Sequence, residues 1–145
     1  MSVEPSVEPR FSWPTRIYWE DTDAGGVVYH ARYVAFMERA RTEWMRALGY
    51  GQETMRCGDG QVFVVRAMNL DFLKPAKLDD ALTTTVELLQ CRRASLLMAQ
   101  AVMRDDQVLA TAQVRLAAVG ARDFRPQALD DTLYAVLKPL QTQPA

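Results

Sequence analysis

The chain is short of several things, and each shortage removes a class of function. It has one histidine, His30, and two cysteines, Cys57 and Cys91, with no Cys-x-x-Cys spacing. That excludes a structural zinc site, which draws its ligands from those residue types. The two cysteines read as free thiols in a reducing compartment rather than as a disulfide. No apolar run reaches the length of a transmembrane helix. The net charge is −1, so there is no basic excess to draw nucleic acid and no polybasic membrane anchor. The N-terminus carries Glu4 and Glu8 and lacks the apolar core of a secretory signal. These features together predict a cytoplasmic protein with no nucleic-acid partner and no transmembrane segment.

What remains is ordinary globular material, 49% hydrophobic and 24% charged over 145 residues, enough for one well-buried core. A tandem repeat, Ser2-Val3-Glu4-Pro5 and Ser6-Val7-Glu8-Pro9, predicts a disordered tail over residues 1–10. A single domain is expected over 11–140, with a second short tail over 141–145. Phe11 to Glu20 is aromatic and β-branched and reads as a strand. Asp21 to Gly26 reads as a turn. From His30 to Leu48 the apolar residues Tyr33, Met37, Ala40, Trp44 and Leu48 form a helical stripe, and Gly49 follows as a stop. After a loop over Gln52 to Gln61, four strands are predicted over Val62–Leu73, Leu78–Gln90, Ser95–Arg104 and Val108–Val119. In the last, Val108, Ala110, Ala112, Val114, Leu116 and Ala118 share one face. One helix followed by a run of strands predicts an α+β fold with an antiparallel sheet of about five strands. A single helix leaves sheet edges and surface uncovered, which predicts a dimer or larger assembly.

The most informative stretch is Trp19 to Tyr33, WEDTDAGGVVYHARY. Asp21 and Asp23 precede the Gly25-Gly26 pair, and a helix N-terminus with outward backbone N–H groups follows. A carboxylate beside fixed N–H donors suits hydrolysis: one activates or attacks, the others hold an oxyanion. Asp21-Thr22-Asp23 also has the form of a metal-binding DxD, but the further oxygen ligands of such a site are missing, so no metal is expected.

The run Arg16 to Tyr33 closely resembles the signature of hot-dog-fold acyl-CoA thioesterases of the 4-hydroxybenzoyl-CoA thioesterase type, most of all the YbgC group. The likeness continues through Glu38 to Glu43, Phe63 to Arg66, Pro75 to Asp80 and Arg92 to Ser95, and so covers about residues 12–128. It implies a long central helix wrapped by a curved antiparallel sheet. It implies a homodimer, commonly doubled to a homotetramer, with active sites at the subunit interface. It also implies hydrolysis of an acyl-CoA to a carboxylate and free coenzyme A without a cofactor. An acyl carrier protein is the alternative substrate or partner, and a non-catalytic acyl-carrier or phospholipid-synthesis binding module is the alternative of another class.

The resemblance makes Asp23 the catalytic carboxylate. An ionised aspartate is available at neutral pH as nucleophile or as base for water, and both routes stay open beside a plain turn-capping role. Asp21 reads as a turn or hydrogen-bonding residue. The resemblance places residue 30 at the helix start, where its backbone N–H would polarise the thioester carbonyl, and implicates the His30 imidazole too. The alternative for His30 is a helix residue bonded to a nearby carboxylate. Val28 and Tyr29 are expected to offer further N–H groups or to shape the pocket. Trp19 stands where relatives carry Tyr, so it offers an indole N–H and no acceptor. Arg92 and Arg93 match a stretch that grips coenzyme A phosphates in relatives, with a solvated turn as the alternative. Glu38, Arg39, Arg41 and Glu43 read as surface or interface ion pairs, and Met37, Trp44 and Met45 as core or interface.

Overall fold

The computed structural model describes residues 10–51 and 60–143. The N-terminal repeat, most of the 52–61 loop and Cys57 lie outside them. The chain runs β1 (Arg10–Arg16), a 3-10 turn (Trp19–Asp21), α1 (His30–Ala47), β2 (Gln61–Phe72), β3 (Ala81–Cys91), β4 (Ser95–Arg104), β5 (Gln107–Gly120), α2 (Asp131–Leu137) and a closing 3-10 turn (Lys138–Leu140). The strands form one five-stranded antiparallel sheet in the order β1-β3-β4-β5-β2.

Helix α1 spans 18 residues and packs across β1, β3 and β4. Of its stripe, Tyr33, Met37, Ala40 and Trp44 lie in the core, joined by Phe36 and Met45, while Leu48, just past the last helical residue, is only partly buried. Gly49 sits at φ 93° and ends the helix in a conformation that favours glycine. Leu82, Val86 and Leu88 of β3 and Ala110, Ala112, Val114, Leu116 and Ala118 of β5 face the same core.

Three expectations need correction. The first strand stops at Arg16, and Trp19 and Glu20 belong to the 3-10 turn, because the Asp21 and Thr22 amides bond back to the Tyr18 and Trp19 carbonyls. In β5 the inward residue near the strand start is Leu109, not Val108. The register shifts there: Met103 pairs with Val108 and Val102 with Ala110, so Leu109 is the extra residue of a bulge. Arg41 is no surface ion-pair residue but is buried at 8% exposure, donating from Nη1 to Gln100 Oε1 at 2.9 Å. Glu43 does pair on the helix surface, with Arg46 at 2.6 Å.

Helix α2 is an element beyond those the sequence predicts. Asp130 caps it, accepting from the Thr132 and Leu133 N–H groups, while Leu133 and Leu137 are buried one turn apart. The chain end, expected as a tail from Gln141, is tied down as far as Gln143. The Thr142 and Gln143 amides donate to the Leu88 and Leu89 carbonyls, and Gln141 Oε1 accepts from the Cys91 amide.

Candidate active site

The acidic turn and the helix start meet at one end of the sheet. Residues 22–28 form a narrow hairpin: Thr22 bridges Val28, the Asp23 amide donates to the Val27 carbonyl, and the Gly26 amide donates to the Asp23 carbonyl. Gly26 holds φ 84° at the tip, a conformation that disfavours side chains. A Cβ on Gly25 would stand 3.2 Å from Asp23 Oδ1, close enough to push that carboxylate aside. Asp23 is exposed. Its Oδ1 accepts from the Gly25 amide at 2.8 Å, while Oδ2 has no partner among the described residues.

Asp21, in contrast, is 5% exposed and fully occupied. Its Oδ2 accepts from the Tyr18 amide at 2.9 Å, and its Oδ1 faces Arg32 Nε at 2.8 Å and Nη2 at 2.6 Å. It is the hydrogen-bonding residue that its place in the motif predicts.

The backbone donors sort themselves. The Val28 amide donates to the Ala76 carbonyl at 2.9 Å, and the Tyr29 amide to the Asp21 carbonyl at 2.9 Å. Neither is open to a substrate, which removes the expectation that residues 28 and 29 supply N–H groups. Residue 30 opens α1, and its amide has no partner among the described residues. The helix dipole adds positive potential at that amide.

Val28 also has a buried side chain. It lines a shallow depression of about 250 Å³ with His30, Tyr33, Phe72, Leu73 and Pro75. The His30 ring leans on Tyr29, centroids 4.6 Å apart, and meets Phe72 edge-on at 6.2 Å. No carboxylate bonds to its imidazole among the described residues. Phe72 also meets Tyr33, centroids 5.5 Å apart, so the end of β2 supplies an aromatic wall that the sequence reading missed. Trp19 is 79% exposed and lines a separate depression with Arg16, Tyr18 and Leu78. It is not brought to His30 within this chain.

Arg92 and Arg93 lie at the opposite end of the sheet. The β3–β4 turn follows Cys91, whereas β3 begins at Ala81 beside the active-site loops, and its residues span roughly 33 Å. Arg93 is committed elsewhere: Nη2 donates to Asp131 Oδ1 at 2.8 Å, and the guanidinium carbon stands 4.3 Å from the Tyr134 ring centroid. The bond to Asp131 holds its pKa above the usual arginine value. The Arg92 side chain has no partner among the described residues.

The loop carrying Ala76 is itself fastened. Asp80 Oδ2 accepts from the Lys77 amide at 2.8 Å and from Arg104 Nη1 at 2.7 Å. The Ala76 amide donates to the Tyr33 hydroxyl at 3.1 Å. Asp80 and Arg104 thus set the strip of chain against which Val28 is hung.

A thioesterase superfamily profile matches residues 25–111. The acyl-CoA thioesterase YbgC of Haemophilus influenzae is 42% identical over 131 residues, covering 90% of this chain and 96% of that relative. The acyl-CoA thioester hydrolase YbgC of Escherichia coli O157:H7 is 42% identical over 129 residues, covering 88% and 96%. A crystal structure described as "Probable Thioesterase" from Bartonella henselae superposes with a TM-score of 0.81 at 35% identity, covering 83% of this chain and 99% of that one. The chain belongs to the thioesterase superfamily, with the hot-dog fold, in the group of the YbgC thioesterases.

Proposed function

We propose that the protein hydrolyses acyl-CoA thioesters, with Asp23 as general base or nucleophile and the residue 30 amide as oxyanion donor. The observation that carries this reading is the sorting of the N–H groups. Those of residues 28 and 29 are spent on the fold, and that of residue 30 is left open at a helix N-terminus. In the transition state the thioester oxygen gains negative charge, and a fixed donor at that point lowers the barrier without reorganisation. Oδ2 of Asp23 takes a proton from the water that attacks the carbonyl carbon, or itself attacks that carbon to give a mixed anhydride that water opens; in either route the C–S bond breaks and coenzyme A leaves as the thiolate, which takes up a proton. The His30 imidazole and Phe72 form an aromatic wall on which the acyl group is oriented.

A homodimer paired along β2 belongs to this reading. β2 is an edge strand of 12 residues with Val64, Val65 and Phe72 exposed, a long apolar edge of the kind that pairs with another chain. Antiparallel pairing about a twofold axis would bring a second copy's β3–β4 turn, with its Arg92, to the end of the sheet that holds Asp23 and His30. Coenzyme A phosphates would be gripped there across the interface. The sheet curling round α1 is supported by the bulges in β2, β3 and β5, which bend and twist strands. A cytoplasmic setting accords with a buried free thiol at Cys91.

The test is release of coenzyme A from short, long and aromatic acyl-CoAs by wild type and Asp23→Asn. Turnover that falls by about 10²–10⁴ on substitution supports the reading. Absence of turnover with every ester, or an Asp23→Asn variant as fast as wild type, defeats it.

A further inference from the structure

Tyr33 stands in the first turn of α1, just past the open amide of residue 30. Its side chain is buried. The ring is held by packing, edge-on to Phe36 at 6.1 Å and to Phe72 at 5.5 Å between centroids. The hydroxyl oxygen does something else: it accepts the Ala76 amide at 3.1 Å. Ala76 is fully buried, so that amide has no water as an alternative acceptor. The Ala76 carbonyl in turn accepts the Val28 amide at 2.9 Å.

These two bonds close a ring. It runs from residue 30 along the helix to Tyr33, across to Ala76, across again to Val28, and back through Tyr29. Asp23 is attached to this ring. The hairpin over 22–28 is one unit, closed by the Thr22–Val28 bridge and by the Asp23 amide on the Val27 carbonyl. It meets the strip after Pro75 a second time where Val27 bridges Lys77. Only Tyr29 lies between hairpin and helix. Rotation at that joint would swing the Asp23 carboxylate relative to the residue 30 amide, that is, the base relative to the oxyanion donor. Asp21 fixes one side of the joint, through Arg32 and the Tyr29 amide. Tyr33 fixes the other, because its hydroxyl ties the strip that carries Val28 back to α1.

We propose that Tyr33 is a positioning residue for the hydrolysis: its hydroxyl, acting through Ala76 and Val28, holds Asp23 at working distance from the residue 30 amide. The proposal rests on the thioesterase reading above. Tyr33 acts on the enzyme's own groups and not on the acyl group, so loss of its oxygen should affect every ester alike.

Thr85 supplies a matched control. Its Oγ1 accepts the buried Ala101 amide at 3.0 Å, between β3 and β4 and outside the ring. Tyr33→Phe and Thr85→Val therefore each delete one oxygen that serves a buried backbone amide, and both should lower Tm. Values of kcat, KM and Tm are measured for wild type and both variants with butyryl-CoA and benzoyl-CoA. Tyr33→Phe should lower kcat by about tenfold with both esters and leave KM as it was, while Thr85→Val keeps the wild-type kcat. A Tyr33→Phe kcat no lower than that of Thr85→Val overturns the proposal, as does a loss that falls on KM or on one ester alone. If Tyr33→Phe does not fold, Asp80→Asn takes its place, since Asp80 anchors the same strip at the Lys77 amide. Its kcat should fall about threefold at unchanged KM, and a wild-type kcat overturns the proposal. In each of these cases wild type still hydrolyses the esters and the thioesterase reading stands. No hydrolysis of either ester by wild type overturns that reading and this one with it.

Discussion

Asp21, buried, and Arg32, partly exposed, form an ion pair with Nη2 2.6 Å and Nε 2.8 Å from one carboxylate oxygen, and this pair joins the acidic turn to the first turn of α1. The Asp21 carbonyl also receives the Tyr29 amide. One residue therefore fixes the last peptide before the open N–H of residue 30.

Removing the arginine should show this coupling. In Arg32→Met the Asp21 carboxylate stays buried without its cation, at a cost of about 2 kcal/mol, or a fall in Tm of roughly 4–8 °C. Because the oxyanion donor shifts with the turn, kcat should drop about tenfold in protein that is still folded at assay temperature. Thermal unfolding and steady-state kinetics on the same sample check both.

Acid should act through Asp80. Partial burial pushes its carboxyl pKa up, but the Lys77 amide and the Arg104 guanidinium outweigh that and hold it below the usual aspartate value. A carboxylate depressed on folding adds stability above its unfolded pKa, near 3.9, and loses it as pH falls through the folded value. Wild type should therefore be more stable than Asp80→Asn at pH 7, and the gap should close as pH falls below about 4. Denaturant midpoints measured from pH 7 to pH 3 test this; a gap that widens in acid contradicts it.

The two arginines of the β3–β4 turn should separate cleanly. Arg93→Met breaks the contacts to Asp131 and Tyr134, so it should lower Tm slightly and leave KM for acyl-CoA as it was. Arg92→Met should raise that KM several-fold, with a larger effect at low salt. Titrating KM against ionic strength for both variants distinguishes the roles.

Much of this architecture is legible in the sequence because the signals are local. The apolar stripe from Tyr33 to Trp44 and the stop at Gly49 place α1 to within a residue, the turn after Arg104 bounds β4, and alternation finds β3 and β5, although β3 begins at Ala81 and not at Leu78. The bulge that turns Leu109 inward is set by pairing with β4, which no alternation count contains. Helix α2 did leave a signal in Asp130 followed by Leu133 and Leu137 at helical spacing. At the site, the motif marks Asp23 and residue 30. The loss of the Val28 and Tyr29 amides is tertiary, since their acceptors are Ala76, far along the chain, and Asp21, across a turn. The commitment of Arg93 to α2 is hidden for the same reason.

The central claim is that the backbone N–H of residue 30 holds the oxyanion, and proline tests it most directly. Proline is tolerated at a first helical position, Tyr29 before it is already extended at φ −62° and ψ 133°, and the amide that proline removes bonds to nothing among the described residues. His30→Ala deletes the imidazole and keeps the N–H; His30→Pro deletes both. The kcat of His30→Pro should lie about 10²–10³ below that of His30→Ala, at similar Tm. Equal kcat values for the two folded variants would contradict the claim.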